Sequence, residues 1–188
     1  MRSVYYIDNN SEPALGARLA LTFDLTDAVL MTVGASAMAG HLDPARENSY
    51  VVGGIDFYLR LWDFDVHAEY LLRRTEMALG SDPDSRFRYG PDEDGEYDDH
   101  FIKDGFYVEA NWPLFTRLEL VARVDGLRRI GNVLLNSKLR ENSSVLRYTG
   151  GINIVLDGSV RLKFSGEFYD FTDFQDEFAA NAGAVASF

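Results

Sequence analysis

The feature that most constrains the fold of this chain is an alternation of apolar and polar residues, repeated in stretches of about ten residues. In one such stretch, Val160, Leu162 and Phe164 alternate with Arg161 and Lys163. Successive residues of a β-strand point to opposite faces of its sheet, so each stretch predicts a strand with one apolar and one polar face. The sequence has no apolar run long enough for a membrane-spanning helix. Repeated alternating strands in such a chain are typical of a transmembrane β-barrel.

The alternation predicts ten strands joined by connections that are alternately short and long. The predicted strands are residues 3–8, 14–24, 28–39, 49–62, 65–77, 105–113, 117–129, 144–156, 159–170 and 177–188. This order indicates an all-β, antiparallel, up-and-down barrel with short periplasmic turns and longer external loops. We therefore treat residues 1–188 as one outer-membrane barrel domain.

A soluble sandwich of two antiparallel sheets would show the same alternation, with the apolar residues as its core. The strand lengths favour the membrane barrel, because strands in globular proteins usually have about 5–6 residues. Aromatic residues near the ends of the apolar faces, such as Trp112 and Phe168, also resemble the aromatic girdles of membrane barrels. We predict that the terminal Phe188 belongs to an assembly signal read by the barrel-assembly machinery.

Composition excludes several classes of function. The net charge of −12 argues against nucleic-acid binding. The absence of cysteine excludes disulfides and thiolate metal sites, and neither a metal nor another cofactor is expected. The mean hydropathy of −0.17 suits a barrel, in which only alternate residues face lipid. No signal peptide precedes the first predicted strand, so we expect the chain to be a mature form or a piece of a longer protein.

Charged residues recur at the polar, inward positions and are predicted to line a water-filled interior. These candidate channel-lining residues are Arg18, Arg60, Arg73, Arg117, Arg123, Arg147, Arg161, Lys163, Glu109, Glu119 and Glu167. Inward cations favour the passage of anions. Alternatively, they pair with carboxylates across strands and fill the interior. On the apolar faces the clear charges are Arg74, Arg128 and Asp170, all near the external strand ends.

The longest predicted loop carries an acidic segment, residues 82–99, which could hold Ca²⁺ or bridge lipopolysaccharide through divalent ions. Its spacing does not match an EF-hand, and a solvated surface loop is the simpler interpretation. Asp98, Asp99 and His100 could form a general base at the barrel rim, as in some outer-membrane proteases. No second acidic cluster accompanies them, so we expect no enzyme activity.

One pair of segments resembles a known family. Residues 105–110 (GFYVEA) followed by 118–125 (LELVARVD) resemble the phosphate-selective porin O/P-like family, in which a G-[YF]-Y-V-x-A strand precedes an L-E-L-V-A-R-x-D strand. Residues 51–56, 67–71, and 147–153 with 160–163 are also similar to that family. The resemblance implies a trimeric porin of about sixteen strands, of which this chain is the C-terminal part.

Together these features predict a porin of the bacterial outer membrane that allows passive diffusion of small ions and solutes, including anions such as phosphate. Its expected partners are outer-membrane lipid and lipopolysaccharide, the barrel-assembly machinery, the diffusing solutes, and two further copies in a homotrimer. The alternative is a small closed barrel of about ten strands with a structural, adhesive or rim-located enzymatic role. Strand number separates the two, because side chains largely fill small barrels whereas larger ones leave an aqueous channel.

Overall fold

A computed structural model describes residues 13–42, 48–76, 98–131, 142–157 and 160–186. These residues form nine strands: β1 (Leu15–Thr26), β2 (Val29–His41), β3 (Ser49–Leu61), β4 (Phe64–Glu76), β5 (His100–Phe115), β6 (Leu118–Gly131), β7 (Ser143–Asp157), β8 (Val160–Phe171) and β9 (Glu177–Ala186). Over the same ranges, no helix has the length and apolar character needed to cross a membrane.

The nine strands form one sheet in chain order, and each strand is antiparallel to the one before it. The prediction of an all-β, up-and-down antiparallel topology is therefore confirmed. β1 and β9 are the edges of the sheet and share no contact within the described part of the chain. The sheet is thus open over these residues, and closure into a barrel stays a prediction.

Short turns and long connections lie at opposite ends of the sheet, which we call the turn end and the loop end. Two-residue turns at 27–28, 62–63 and 116–117 join β1 to β2, β3 to β4, and β5 to β6. Trp62 has a φ of 54°, the left-handed conformation that type I′ and II′ hairpin turns have at their first central residue. Its N–H donates to the carbonyl of Ala28 at 2.7 Å, which ties neighbouring turns together.

The strand bounds differ most from the predicted ones at β5. It begins at His100, five residues before the predicted start at 105, so the segment assigned to a loop is strand. The alternation is hard to see there because Phe101 and Ile102 are both apolar, and because Asp104 lies on the otherwise apolar face. The predicted strand 3–8 and Phe188 lie outside the described residues.

The two faces of the sheet differ sharply, and we name them the apolar face and the polar face. The apolar face carries the large side chains of alternate residues, and these are exposed: Leu19 is 70% and Phe178 is 73% accessible. No hydrophobic residue is buried anywhere in the described ranges. Packing two sheets face to face would bury these side chains, so the described strands do not form the core of a sandwich.

Candidate functional site

A series of ion pairs crosses the polar face from β5 to β8. Arg123 contacts Glu109 at 3.3 Å and Asp125 at 2.7 Å. Arg147 contacts the same Asp125 at 2.9 Å and Glu167 at 3.5 Å. We call these five residues the charge ladder. Their register places them in two neighbouring cross-strand rows, which is why each arginine reaches two carboxylates.

Neighbouring polar groups hold the outer carboxylates of the charge ladder in place. Asn111 donates to Glu109 at 3.1 Å, and Asn181 donates to Glu167 at 3.1 Å. Tyr169 also donates its hydroxyl to Glu167. The ladder combines two arginines with three carboxylates, so its cations are compensated within the cluster.

Two further ion pairs flank the charge ladder. Arg18 of β1 reaches across β2 to Asp56 of β3, with nitrogen–oxygen distances of 2.5 and 3.2 Å. The β2 residue between them is Gly34, and a Cβ there would overlap the Asp56 carboxylate. Toward the turn end, Arg161 of β8 lies 3.7 Å from Glu119 of β6. Charge pairing therefore extends over most of the polar face.

Nearer the loop end, three cations occupy one row of the polar face. Arg73 of β4 is the register partner of Lys103 of β5, which is in turn the partner of Arg129 of β6. Neighbouring strands are about 4.8 Å apart, so the three positive charges are close together. The Arg73 guanidinium lies 4.9 Å from the centroid of the Tyr50 ring, and Lys103 and Arg129 each lie 5.3 Å from the Phe101 ring. We call these three cations the cationic row.

A cleft of about 450 Å³ separates the cationic row from the charge ladder on the polar face. Its lining includes Arg73 and Lys103 at one side and Arg123 and Asp125 at the other. Gly105 lies between them, and its missing side chain leaves room for the cleft. A dissolved ion in this cleft would meet charges of both signs.

The structure brings together most of the predicted channel-lining residues. Those in the charge ladder, the flanking pairs or the cationic row are Arg123, Arg147, Glu109, Glu167, Arg18, Arg161, Glu119 and Arg73. The other three lie apart from these clusters. Arg60 is opposite Asp65 on β4, exposed Lys163 is opposite Asn153, and Arg117 is in the turn before β6.

Sequence reasoning missed two cations of the polar face, Lys103 and Arg129. Lys103 fell in the segment assigned to a loop, and Arg129 was the last residue of a predicted strand. A signal for Lys103 was present in the sequence. It has the same parity as Tyr107 and Glu109, so extending the alternation of β5 toward the loop end places it on the polar face.

In the candidate general base, Asp99 and His100 contact each other as neighbours along the chain. Asp99 Oδ1 lies 2.6 Å from His100 Nδ1, and this hydrogen bond holds the pKa of Asp99 below its usual range. Across the described residues, no group of three His, Cys, Asp or Glu side chains is placed to hold a metal ion. Residues 82–97 of the acidic segment lie outside the described residues, so the alternatives of a solvated loop and a Ca²⁺ site are both untested.

Comparison of the chain with known protein families, with curated proteins and with solved structures finds no match. The resemblance to the phosphate-selective porin O/P-like family, and the homotrimer that it implies, therefore stay predictions.

Proposed function

We propose that this chain forms part of the wall of a water-filled pore in a bacterial outer membrane, through which small ions and solutes diffuse passively. One observation carries the proposal: a continuous exposed apolar face lies directly behind a polar face with half-buried ion pairs. Soluble proteins rarely leave an apolar patch of more than a few hundred Å² uncovered. Lipid on one side and water on the other would satisfy both faces.

The strand lengths match the thickness of a membrane. On β6, the distance from Leu118 at the turn end to Arg128 is ten residues. At about 3.4 Å per residue and a tilt of about 35–45°, this spans roughly 24–28 Å across the membrane. The apolar band of outer-membrane barrels is about 25 Å tall. The first charge on the apolar face of β6 therefore falls at the edge of that band.

Exposed aromatic residues at the turn end also support a sheet that spans the membrane. Trp62 in a tight turn is 74% accessible, Phe115 directly before a tight turn is 68% accessible, and Trp112, four residues before that turn, is 52% accessible. Aromatic rings are enriched where a membrane meets water. We infer that the turn end lies at one interface and the loop end at the other.

The open sheet requires further strands to complete such a pore. With nine strands in alternating directions, β1 and β9 run the same way. Antiparallel barrels of this class have an even number of strands, so closure needs an odd number of additional strands. Unpaired backbone groups at the edges would be costly in lipid, and added strands would remove that cost.

The distribution of charge on the polar face supports a pore that prefers anions, such as phosphate. The charge ladder combines two arginines with three carboxylates, and Arg73, Lys103 and Arg129 place three positive charges in one row. A row of cations lowers the barrier for anions entering a pore. We propose that the cationic row sets the ion preference and that the ladder mainly shapes the water-filled space.

Planar-bilayer recordings of the full-length protein test this proposal. We expect stepwise conductance and a reversal potential, in a KCl gradient, that favours chloride. Replacing the cationic row (Arg73→Gln, Lys103→Gln and Arg129→Gln) should shift the reversal potential toward potassium. The shift should shrink at high salt, because the Debye length falls from about 10 Å at 0.1 M to about 3 Å at 1 M.

The matched control removes one charge of each sign from the charge ladder, as Arg123→Gln with Glu109→Gln. Because net charge is unchanged, we expect a much smaller shift in reversal potential, although the conductance itself can change. Absence of any conductance would contradict the pore and leave the small closed barrel as the better explanation. Equal shifts in the two variants would contradict the assignment of selectivity to the cationic row.

A further inference from the structure

The apolar face carries one ion pair that the pore does not explain. Arg128 binds Asp104 through two parallel contacts, Nε to Oδ1 at 3.0 Å and Nη2 to Oδ2 at 2.7 Å. The Tyr70 hydroxyl donates to the same carboxylate at 2.9 Å. Asp104 is only 8% accessible, whereas the Arg128 side chain is 51% accessible. The carboxylate is thus covered, and the guanidinium lies over it facing outward.

The geometry leaves Arg128 able to bind a second anion. A guanidinium has five N–H donors, and the two contacts to Asp104 use two of them. The Asp104 carboxylate fixes the Arg128 guanidinium, and the Tyr70 hydroxyl fixes the carboxylate. The remaining three N–H donors of the guanidinium therefore have a defined direction. A preorganised arginine of this kind suits the oxygens of a phosphate group.

A groove next to Arg128 is polar at one end and apolar along its length. It has a volume of about 360 Å³. Arg128 and Ser144 are register partners toward the loop end, and Phe106 and Leu146 line the part nearer the middle of the sheet. Its floor is the buried Gly126, where a Cβ would come within 2.9 Å of the Phe106 ring.

A second cation lies on the same face and closer to the loop end. Arg74 is exposed and is the register partner of Ile102, one row beyond Asp104 on the apolar face. Two strand spacings and one pair of residues separate its backbone from that of Arg128, which is about 12 Å. Asp104 compensates Arg128, and Arg74 adds a second cation that also interacts with the carboxylates of Glu76 and Asp99.

We propose that Arg128, oriented by Asp104 and assisted by Arg74, binds the phosphate of an anionic lipid headgroup, with an acyl chain of that lipid in the groove over Gly126. The inference rests on the proposed membrane orientation, in which Arg128 lies at the outer edge of the apolar band. Phosphate oxygens would bind the free donors of the guanidinium, and the Ser144 hydroxyl is placed to add a further donor. The apolar length of the groove distinguishes a lipid from free phosphate.

Native mass spectrometry of the full-length protein in detergent tests the proposal, with diphosphoryl lipid A as the probe. The comparison probe is the same lipid without its phosphates. We expect Arg128→Gln to weaken binding of the phosphorylated probe by roughly tenfold, as for the loss of charge-assisted hydrogen bonds. We expect a smaller loss for Arg74→Gln. Lys163→Gln, which removes a positive charge from the polar face, should bind the probe as the wild type does.

A double variant separates lipid binding from a merely structural ion pair. Arg128→Gln leaves Asp104 without its cation and can impair folding, whereas Arg128→Gln with Asp104→Asn leaves no unpaired charge. The proposal predicts that the double variant regains assembly but not binding of the phosphorylated probe. Recovery of both, or equal binding of both probes by the wild type, would overturn it.

The same preparation distinguishes this inference from the pore proposal. A wild-type protein that conducts ions but does not prefer the phosphorylated probe overturns the lipid site and leaves the pore. A protein that prefers the phosphorylated probe but does not conduct supports the lipid site and overturns the pore. Competition with millimolar inorganic phosphate should have little effect, because free phosphate cannot fill the apolar groove; strong competition would contradict a lipid as the ligand.

Discussion

Charged side chains form a network on one face of this sheet and an ion pair on the other. On the polar face, Arg123 and Arg147 each contact two carboxylates, and Asp125 contacts both arginines. On the apolar face, Arg128 and Asp104 form a pair to which Tyr70 adds a hydrogen bond. Networks are favoured where water can solvate their outer members, whereas a single compensated pair is the cheapest form of charge next to an apolar surface.

This difference indicates what each face contacts. A soluble protein would bury the apolar side chains and expose the charges, because burial of apolar surface is the main driving force for folding. Here the charged Asp125 is 18% accessible, whereas the aliphatic Ile55 is 61% accessible. We infer that the environment of the apolar face supplies the missing apolar contacts.

The largest expected effect comes from placing a charge on the apolar face. Val124 lies there in register with Val108 and Tyr148, about 14–17 Å from the turn end by strand rise and tilt. Val124→Arg should destabilise the membrane-inserted protein by about 2–4 kcal/mol, the cost of arginine near the bilayer midplane. Urea unfolding from lipid vesicles, followed by tryptophan fluorescence, measures this free energy.

The matched control is the same substitution on the polar face of the same strand. Val121 lies on the polar face between Asn111 and Gly151, so a longer side chain there has a polar neighbour on one side and no side chain on the other. Val121→Arg should therefore cost much less than Val124→Arg. Equal destabilisation by the two changes would contradict the assignment of the faces, and no effect of either would indicate that the apolar face meets water rather than lipid.

Within the polar face we expect smaller losses of stability than for Val124→Arg. Breaking the charge ladder should cost more stability than breaking a flanking ion pair. Asp125→Asn removes the carboxylate that two arginines share, and hydrogen bonds to charged groups contribute about 1.5–3 kcal/mol. Asp56→Asn breaks only the more exposed pair with Arg18, and exposed ion pairs contribute little. Urea unfolding of both variants should therefore rank Asp125→Asn as clearly the more damaging. The reverse order would mean that the ladder does not stabilise the sheet.

The sequence predicted the strands and their faces because both depend on local alternation. Each apolar residue from Val160 to Phe164 lies on the face that its parity indicates. The prediction failed where tertiary partners override the pattern. Asp104 breaks the alternation of β5 and is acceptable on the apolar face only because Arg128 and Tyr70 contact it from other strands.

The candidate site was predictable in part for the same reason. Parity placed Arg123 and Arg147 on the polar face, but the choice of carboxylate partner depends on register between strands. Local alternation excludes a shift of one residue between strands but not a shift of two, so turn geometry and loop lengths decide the remaining choice of register. The cationic row shows this most clearly: Lys103 and Arg129 are 26 positions apart in the sequence and become neighbours only through the pairing of β5 with β6.

The smallest expected effect compares two glycines, one on each face. Gly34 lies under the Arg18–Asp56 pair, and a Cβ there overlaps the carboxylate, so Gly34→Ala must displace Asp56. Gly53 lies on the apolar face with no atom within 4 Å of an added Cβ. Gly53→Ala should be neutral or slightly stabilising, because alanine loses less backbone entropy on folding than glycine does and adds apolar surface toward lipid.

Gly34→Ala should lower the urea midpoint by less than Asp125→Asn does. If adding Asp56→Asn to Gly34→Ala gives no further loss, the alanine has acted by breaking the ion pair; additive losses would show that Gly34 is needed for the backbone alone.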